Sequence, residues 1–329
     1  MKKRFILERG IGFVKKLLAL ILIFVLLLSG CKAEKIGTDY DFKPIMEETM
    51  AQIIGYAPNP GHSSIAGEWS VMVAARSGSE VPEGWFDTYY ENLCRTLEEN
   101  SGVLTNTKHS NYSRAALTVT AIGKDPTNVN GYDLFEHHSD LDFVMKQGLP
   151  GSIFALISLD SIGYDFPDVD REIFIENILS EEYDCGGWAL QGEEPDVDIT
   201  AQVIQALAPY YGKDEKITAA VDRAVEHLSK VQQENGGFFA WEGENVQTTA
   251  QVIIALSSIG IDIRTDERFI KEGGWIGSYF MQYYLGDGAF CHTLGMAKDP
   301  MATDQCMQAM FALELFESGE RYYDFTKIK

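Results

Sequence analysis

Basic residues are scarce. Across 329 residues only 27 lysines and arginines face 49 aspartates and glutamates, a formal net charge of −22. A polyanion argues against nucleic acid as a partner and gains nothing from anionic lipid headgroups. Alternating-polarity stretches longer than a few residues are missing, which removes sheet-based folds. There is no CxxC pair among the five cysteines, so no zinc ribbon is expected, and a chain of this length does not depend on disulfides for its core. Absent too are a nucleophile elbow, a phosphate loop and a dinucleotide fingerprint, and with them the reactions those motifs serve. The longest unbroken apolar run, residues 17–28, is too short to span a bilayer comfortably.

That run is nevertheless informative by its place. It follows the basic residues Lys2, Lys3, Arg4, Lys15 and Lys16 and precedes Leu28-Ser29-Gly30-Cys31, which resembles the lipobox of bacterial lipoproteins. The resemblance implies a signal peptide over residues 1–30, diacylglycerol on Cys31 and an extracytoplasmic, lipid-anchored protein. Removal of that leader would make the remaining chain more acidic, at about −27. Residues 31–40 read as a polar tether and residues 41–329 as a single domain.

Within that domain two kinds of helical segment alternate. Residues 215–232 are amphipathic, with Ile217, Val221, Ala224, Val225 and Leu228 on one face; residues 42–56, 85–98, 132–147, 170–179 and 267–284 share this character. Residues 199–208 and 248–259 are apolar nearly all round, as are 67–76, 112–122, 152–162 and 303–316, and such helices must be buried on several sides. Gly78, Gly123, Gly163 and Gly260 stand where C-caps are needed. Six outer and six inner helices with a period of about 45 residues predict an all-α fold, an (α/α)6 toroid of six helix hairpins.

Leu228, Gln232, Gly236 and Phe238, with copies at Ile178, Glu182, Gly186, Trp188 and at Phe280, Tyr284, Gly288, Phe290, resemble the repeat of triterpene cyclases and protein prenyltransferases. The resemblance implies the α/α toroid of that superfamily, but membership licenses a fold more readily than an activity. Asp196-Val197-Asp198-Ile199-Thr200-Ala201 resembles the DXDD-T-A motif of class II cyclases and implies Asp198 as the general acid. Isoleucine replaces the supporting third aspartate. Read from the residues alone, Asp198 is an N-cap and Asp196 belongs to the loop before it, which explains both more simply. Asp304-Gln305-Cys306 has the D-x-C spacing of the prenyltransferase zinc site, with His292 or His62 to complete it. Cys306, however, aligns with the core positions Val203 and Val252, and neither metal nor cofactor is expected.

Aligned on Thr200/Gln202, Thr249/Gln251 and Thr303/Gln305, the inner helices carry a polar stripe. Asp198, Gln202 and Gln205 share a face, Gln247, Gln251, Gln305 and Gln308 extend it, and Arg114 joins from an earlier repeat. Such a ring of amides implies either a wet lumen that takes a polar ligand or glutamines capping turns inside a solid core. Trp188, Phe238, Trp241 and Phe290 either ring one mouth or pack the repeat. The function these features favour is a cell-surface lipoprotein whose toroid binds a ligand or partner at one mouth without turning it over. Two alternatives accompany it: an isoprenoid cyclase or prenyltransferase-like enzyme, which needs an aromatic, dry lumen, and a glycan-binding or glycan-cleaving barrel.

Overall fold

The computed structural model describes residues 40–62, 67–163, 170–240 and 243–326, which belong to one compact unit. The leader, the lipobox and Cys31 lie outside the described residues. Helices come in pairs along the chain: α1 (Lys43–Tyr56) with α2 (Glu68–Ser77), α3 (Trp85–Glu99) with α4 (Ser110–Ala121), and α5 (Leu141–Lys146) with α6 (Leu149–Ile162). The second half continues with α7 (Arg171–Ser180) and α8 (Val197–Leu207), α9 (Glu215–Val231) and α10 (Val246–Ser258), and α11 (Ile276–Phe280) and α12 (Pro300–Glu317). Every even-numbered helix packs on the next even-numbered one, and α12 packs on α2, so the inner ring closes. The outer helices α3, α7, α9 and α11 lie against the inner helices that precede them, α2, α6, α8 and α10, as α1 does on α12 across the join, whereas α5 lies against α6. The protein is an all-α toroid.

Two predicted outer helices are broken. Residues 132–147 form a 3-10 turn (Glu136–Ser139) and then α5, because Asp140 accepts a hydrogen bond from Phe143 N at 3.0 Å and starts a new helix there. Residues 267–284 contain a 3-10 turn (Glu267–Phe269), a tight hairpin and the short α11. The hairpin pairs Ile270–Lys271 with Gly274–Trp275, and a Cβ on Gly274 would sit 2.4 Å from the Asn235 carbonyl oxygen. Close packing on the preceding repeat overrides helical periodicity at that point.

The repeat residues act as clamps between neighbouring hairpins. Glu182 accepts two hydrogen bonds from Arg223 on α9, each 2.7 Å. Its counterpart Gln232 donates to Gly236 O at 2.9 Å and to Phe269 O in the next unit at 3.2 Å. Tyr284 donates to Glu48 on α1. In these three copies one sequence position therefore fastens a unit to the following one, and the last copy, Tyr284, fastens the late part of the ring to α1. The four predicted C-cap glycines all adopt left-handed φ, from 65° to 82°.

One end of the ring is plugged by the C-terminal tail. Arg76, at the end of α2, donates to Asp324 O at 3.0 Å and to Tyr322 O, and its guanidinium lies 4.6 Å from the Phe325 ring centroid. Phe325 N donates to Ser161 O at the end of α6. Tyr323 reaches Trp69, at the opposite end of α2, with ring centroids 6.4 Å apart. Tail aromatics thus pack along the α2 and α6 side of the ring, and the starts of α8, α10 and α12 are left to form a site.

Candidate functional site

Helices α8, α10 and α12 begin alike. Asp196, Asn245 and Asp299 each stand four residues before the threonine of the T-x-Q pattern. Their side chains accept from Ile199 N (2.9 Å), Thr248 N (2.9 Å) and Ala302 N (2.7 Å). These are the N-caps. The assignment of the cap to Asp198 is therefore corrected: Asp196 does that work, and Asp198, two residues further on in the first turn, is half-buried and lines a cavity. Two of the three threonines hold the preceding loops. Thr200 Oγ1 accepts from Trp188 N at 2.9 Å, and Thr303 Oγ1 accepts from Phe290 N at 3.0 Å.

The cavity, of about 350 Å³, is lined by Asp198, Gln202, Ala240, Asn245, Gln247, Gln251, His292 and Gln305. Three of the predicted glutamines meet there because they share one helical register in three successive inner helices. Gln205 does not line it. Buried one turn deeper, it donates from Nε2 to Gln251 Oε1 at 3.1 Å, and Gln251 Nε2 in turn donates to Gln305 Oε1 at 3.3 Å. The amides form a ladder across α8, α10 and α12 whose orientation is set from below. Gln247 is tied to His292 Nδ1. The Gln202 amide and the Gln305 NH₂ make no hydrogen bond to another described residue and are open to a ligand.

The stripe divides by depth. The upper rung lines a cavity, while Gln205 and Gln308 are packed in the core beneath it.

Arg114 is not part of this set. Its Nη2 donates to Asn111 Oδ1 at 2.6 Å and its guanidinium lies 5.8 Å from the Trp69 ring centroid, on the far side of the ring. There it faces the buried Glu68 carboxyl. Burial pushes that group up, but the His62 hydrogen bond and the Arg114 charge outweigh it and hold it below the usual carboxylate range. Trp188 is corrected as well: it is fully buried and donates from Nε1 to Ile178 O at 2.6 Å. Phe238 and Phe290 are equally buried, so all three pack the repeat. Trp241 lies outside the described residues.

The D-x-C pair does not assemble either. Cys306 is buried near Cys291, Asp304 is buried with the Ser70 hydroxyl beside it, His292 binds Gln247 and His62 binds Glu68. Among the described residues no three such donors converge on a common point. Cys94, Cys185, Cys291 and Cys306 are all unpaired.

Residues 177–267 match the model of the squalene-hopene cyclase C-terminal domain. No curated protein matches the chain. The cyclase-like segment covers under a third of the sequence, from the end of α7 through α10, and supports the terpenoid cyclase and prenyltransferase resemblance carried by the repeats. It includes Asp198, Gln202, Gln247 and Gln251 but stops before His292 and Gln305, which complete the cavity.

The electrostatics of Asp198 follow from its place in that segment. Burial, then the nearby Asp196 carboxylate, raise its pKa from 3.8 to about 6, and the Thr248 hydroxyl opposes them. The carboxyl is thus raised well above the usual carboxylate range yet stays mostly ionised at neutral pH. Sequence reasoning set His292 beside a metal site and not in this cavity, and it missed the cap series Asp196, Asn245, Asp299; the constant four-residue offset from each threonine was the signal for the caps, whereas nothing local ties His292 to the glutamines.

The corrected cap makes a prediction. Asp196→Ala should lower stability by about 0.5–2 kcal/mol, because Ile199 N loses its acceptor. Asp198→Asn should leave stability nearly unchanged or raise it, since it removes a buried charge beside Asp196. Chemical denaturation of the two variants checks this, and a larger loss for Asp198→Asn would return the cap to Asp198.

Proposed function

We propose that this protein is a ligand-binding toroid of the terpenoid cyclase and prenyltransferase type that holds a polar ligand at the mouth of the inner ring and does not transform it. Carried outside the cell by its leader and tethered through Cys31, it would present that mouth to the surroundings. The observation that carries the reading is the cavity lining. Four glutamines, an asparagine and a carboxylate surround it, and no phenyl, phenol or indole ring is among the described lining residues. Carbocation chemistry needs π faces and dryness, and amide oxygens would instead solvate or trap a cation. Amides with both donor and acceptor sides suit a ligand rich in polar groups.

The alternative, a cyclase-like enzyme, draws on the match over residues 177–267 and on Asp198. A proton donor to an alkene must be held in its acid form, and a pKa of about 6 leaves Asp198 mostly ionised at neutral pH. The isoleucine at 199 supplies no hydrogen bond to change that.

Thermal-shift measurements with neutral oligosaccharides, short peptides, squalene and an isoprenyl diphosphate test the reading. A polar compound should raise the melting temperature of the wild-type chain and lose most of that effect in Gln251→Leu, which removes the centre of the amide ladder. A cyclised or prenylated product from either isoprenoid would overturn it.

A further inference from the structure

The amide cavity continues outward. A groove of about 360 Å³, lined among others by Gln191, Glu193, Glu194, Asp196 and Phe239, meets it at Ala240, which lines both. Together they present four carboxyl groups, Glu193, Glu194, Asp196 and Asp198, while the described lining of neither contains a lysine or arginine. Asp198 has no cationic partner within salt-bridge distance among the described residues. The surrounding protein is acidic throughout, with a net charge of −22, so the field at this mouth attracts cations from a distance.

Apolar side chains are exposed in the segments that carry this mouth, one of them, Phe239, in the groove itself. Leu190, Phe239, Leu294, Met296 and Met301, in or just after the loops that lead into α8, α10 and α12, are 42–65% exposed. They are five of the eight large apolar side chains exposed among the described residues, so the concentration is not an even scatter. Exposed apolar surface gathered beside a polar cavity marks an interaction site. An inorganic cation would use the carboxylates and ignore the apolar frame; a sugar would use the amides and gain nothing from the charge. A peptide uses all three. Its backbone N–H and C=O groups match carboxamides, a lysine or arginine matches the carboxylates, and its apolar side chains cover the frame.

Resting on the amide-cavity reading above, we propose that this mouth docks an extended peptide segment bearing lysine or arginine. The cationic head group pairs with Asp198 in the cavity, the backbone meets Gln202 and Gln305, and apolar side chains lie along Phe239 and Met296. Asp198 is half enclosed, so an ion pair formed there is less screened than one on the open surface.

Fluorescence anisotropy of the full chain with a short fluorescein-labelled peptide of alternating lysine and leucine tests this. Saturable binding is expected, weakened roughly tenfold or more by Asp198→Asn and by acetylation of the lysines, as for loss of one charged hydrogen bond. A glutamate–leucine peptide should not bind. Should Asp198→Asn fail to fold, the paired substitution Glu193→Gln and Glu194→Gln on the exposed loop should still weaken binding several-fold. Equal binding of the acetylated peptide, or no effect of either set of variants, overturns the inference. If basic peptides fail while a neutral ligand sensitive to Gln251→Leu binds, the inference falls and the amide-cavity reading stands; if Gln251→Leu affects no ligand, both fall.

Discussion

Gly236→Ala should cost about 4 kcal/mol or more, or prevent folding altogether. Gly236 has φ of 93°, and a Cβ built there would lie 2.4 Å from the Trp275 carbonyl oxygen and 2.6 Å from its carbon. The obstacle is backbone, which cannot rotate out of the way. The same relation recurs at Gly186 against Arg223 O (2.6 Å) and at Gly288 against Glu48 O (2.3 Å). Each repeat glycine is thus the point where one hairpin touches the main chain of the next, and Gly288 is where the ring closes on α1. Gly260→Ala is the control. With φ of 82° but no atom within 4 Å of its Cβ, it should lose only the left-handed penalty of about 1–2 kcal/mol. Urea denaturation of both variants measures the difference. Equal losses would mean that backbone strain, and not contact between repeats, explains the glycine.

The second large effect is on acid stability. His109 and His138 are both fully buried, their ring centroids are 4.5 Å apart, and both His109 nitrogens and His138 Nδ1 make no hydrogen bond. Neither can accept a proton comfortably. Burial, then the like charge of His137, lower His109 from 6.5 to about 4, against the pull of Asp140. Burial and its two histidine neighbours also hold His138 well below the usual histidine range. Because the folded pKa lies below the unfolded one, the unfolded chain binds more protons between the two. Stability is whole above pH 6.5 and is lost progressively as pH falls towards 4, by about 3 kcal/mol for His109 at ~1.4 kcal/mol per pH unit.

Asp304 works in the opposite sense. Burial, with Glu68 nearby, raises it from 3.8 to about 7, so its folded form favours the proton and acidification through pH 7 relieves a penalty. Wild-type melts therefore contain two opposed contributions. The variants separate them: His109→Phe should be more resistant than the wild type between pH 6.5 and 4, and Asp304→Asn should gain stability mainly at pH 7 and above. If His109→Phe leaves the pH dependence of the melting temperature unaltered, the buried pair is not the acid-sensitive element.

Much of this molecule is written locally in the chain. Helical periodicity, the alternation of one-sided with all-apolar segments and the glycine caps depend on neighbours a few residues away, and they determine the hairpins of the toroid. The spacing of Thr200 and Gln202, repeated at 249 and 303, determines that three amides share one register. Two outer helices escaped that logic at Asp140 and at Gly273-Gly274, where a cap and a backbone contact from the previous repeat outweigh periodicity.

Tertiary structure decided what those residues do. Asp196 and Asp198 are both acids near one helix start, and only the direction of each side chain separates the cap from the cavity wall. Arg114 has the right helical position but the wrong place around the ring, a matter of which inner helices face the open sector. Trp188 precedes an inner helix as a mouth residue would, yet the repeat turn folds it inward against Ile178. His292 enters the cavity from a loop more than ninety residues from Asp198. The plug formed by Tyr322, Tyr323 and Phe325 has no local signature at all, because it exists only when the end of the chain meets Arg76 and Ser161. Periodicity reports on burial along a segment, whereas a site depends on which segments converge, and closure of the ring alone settles that.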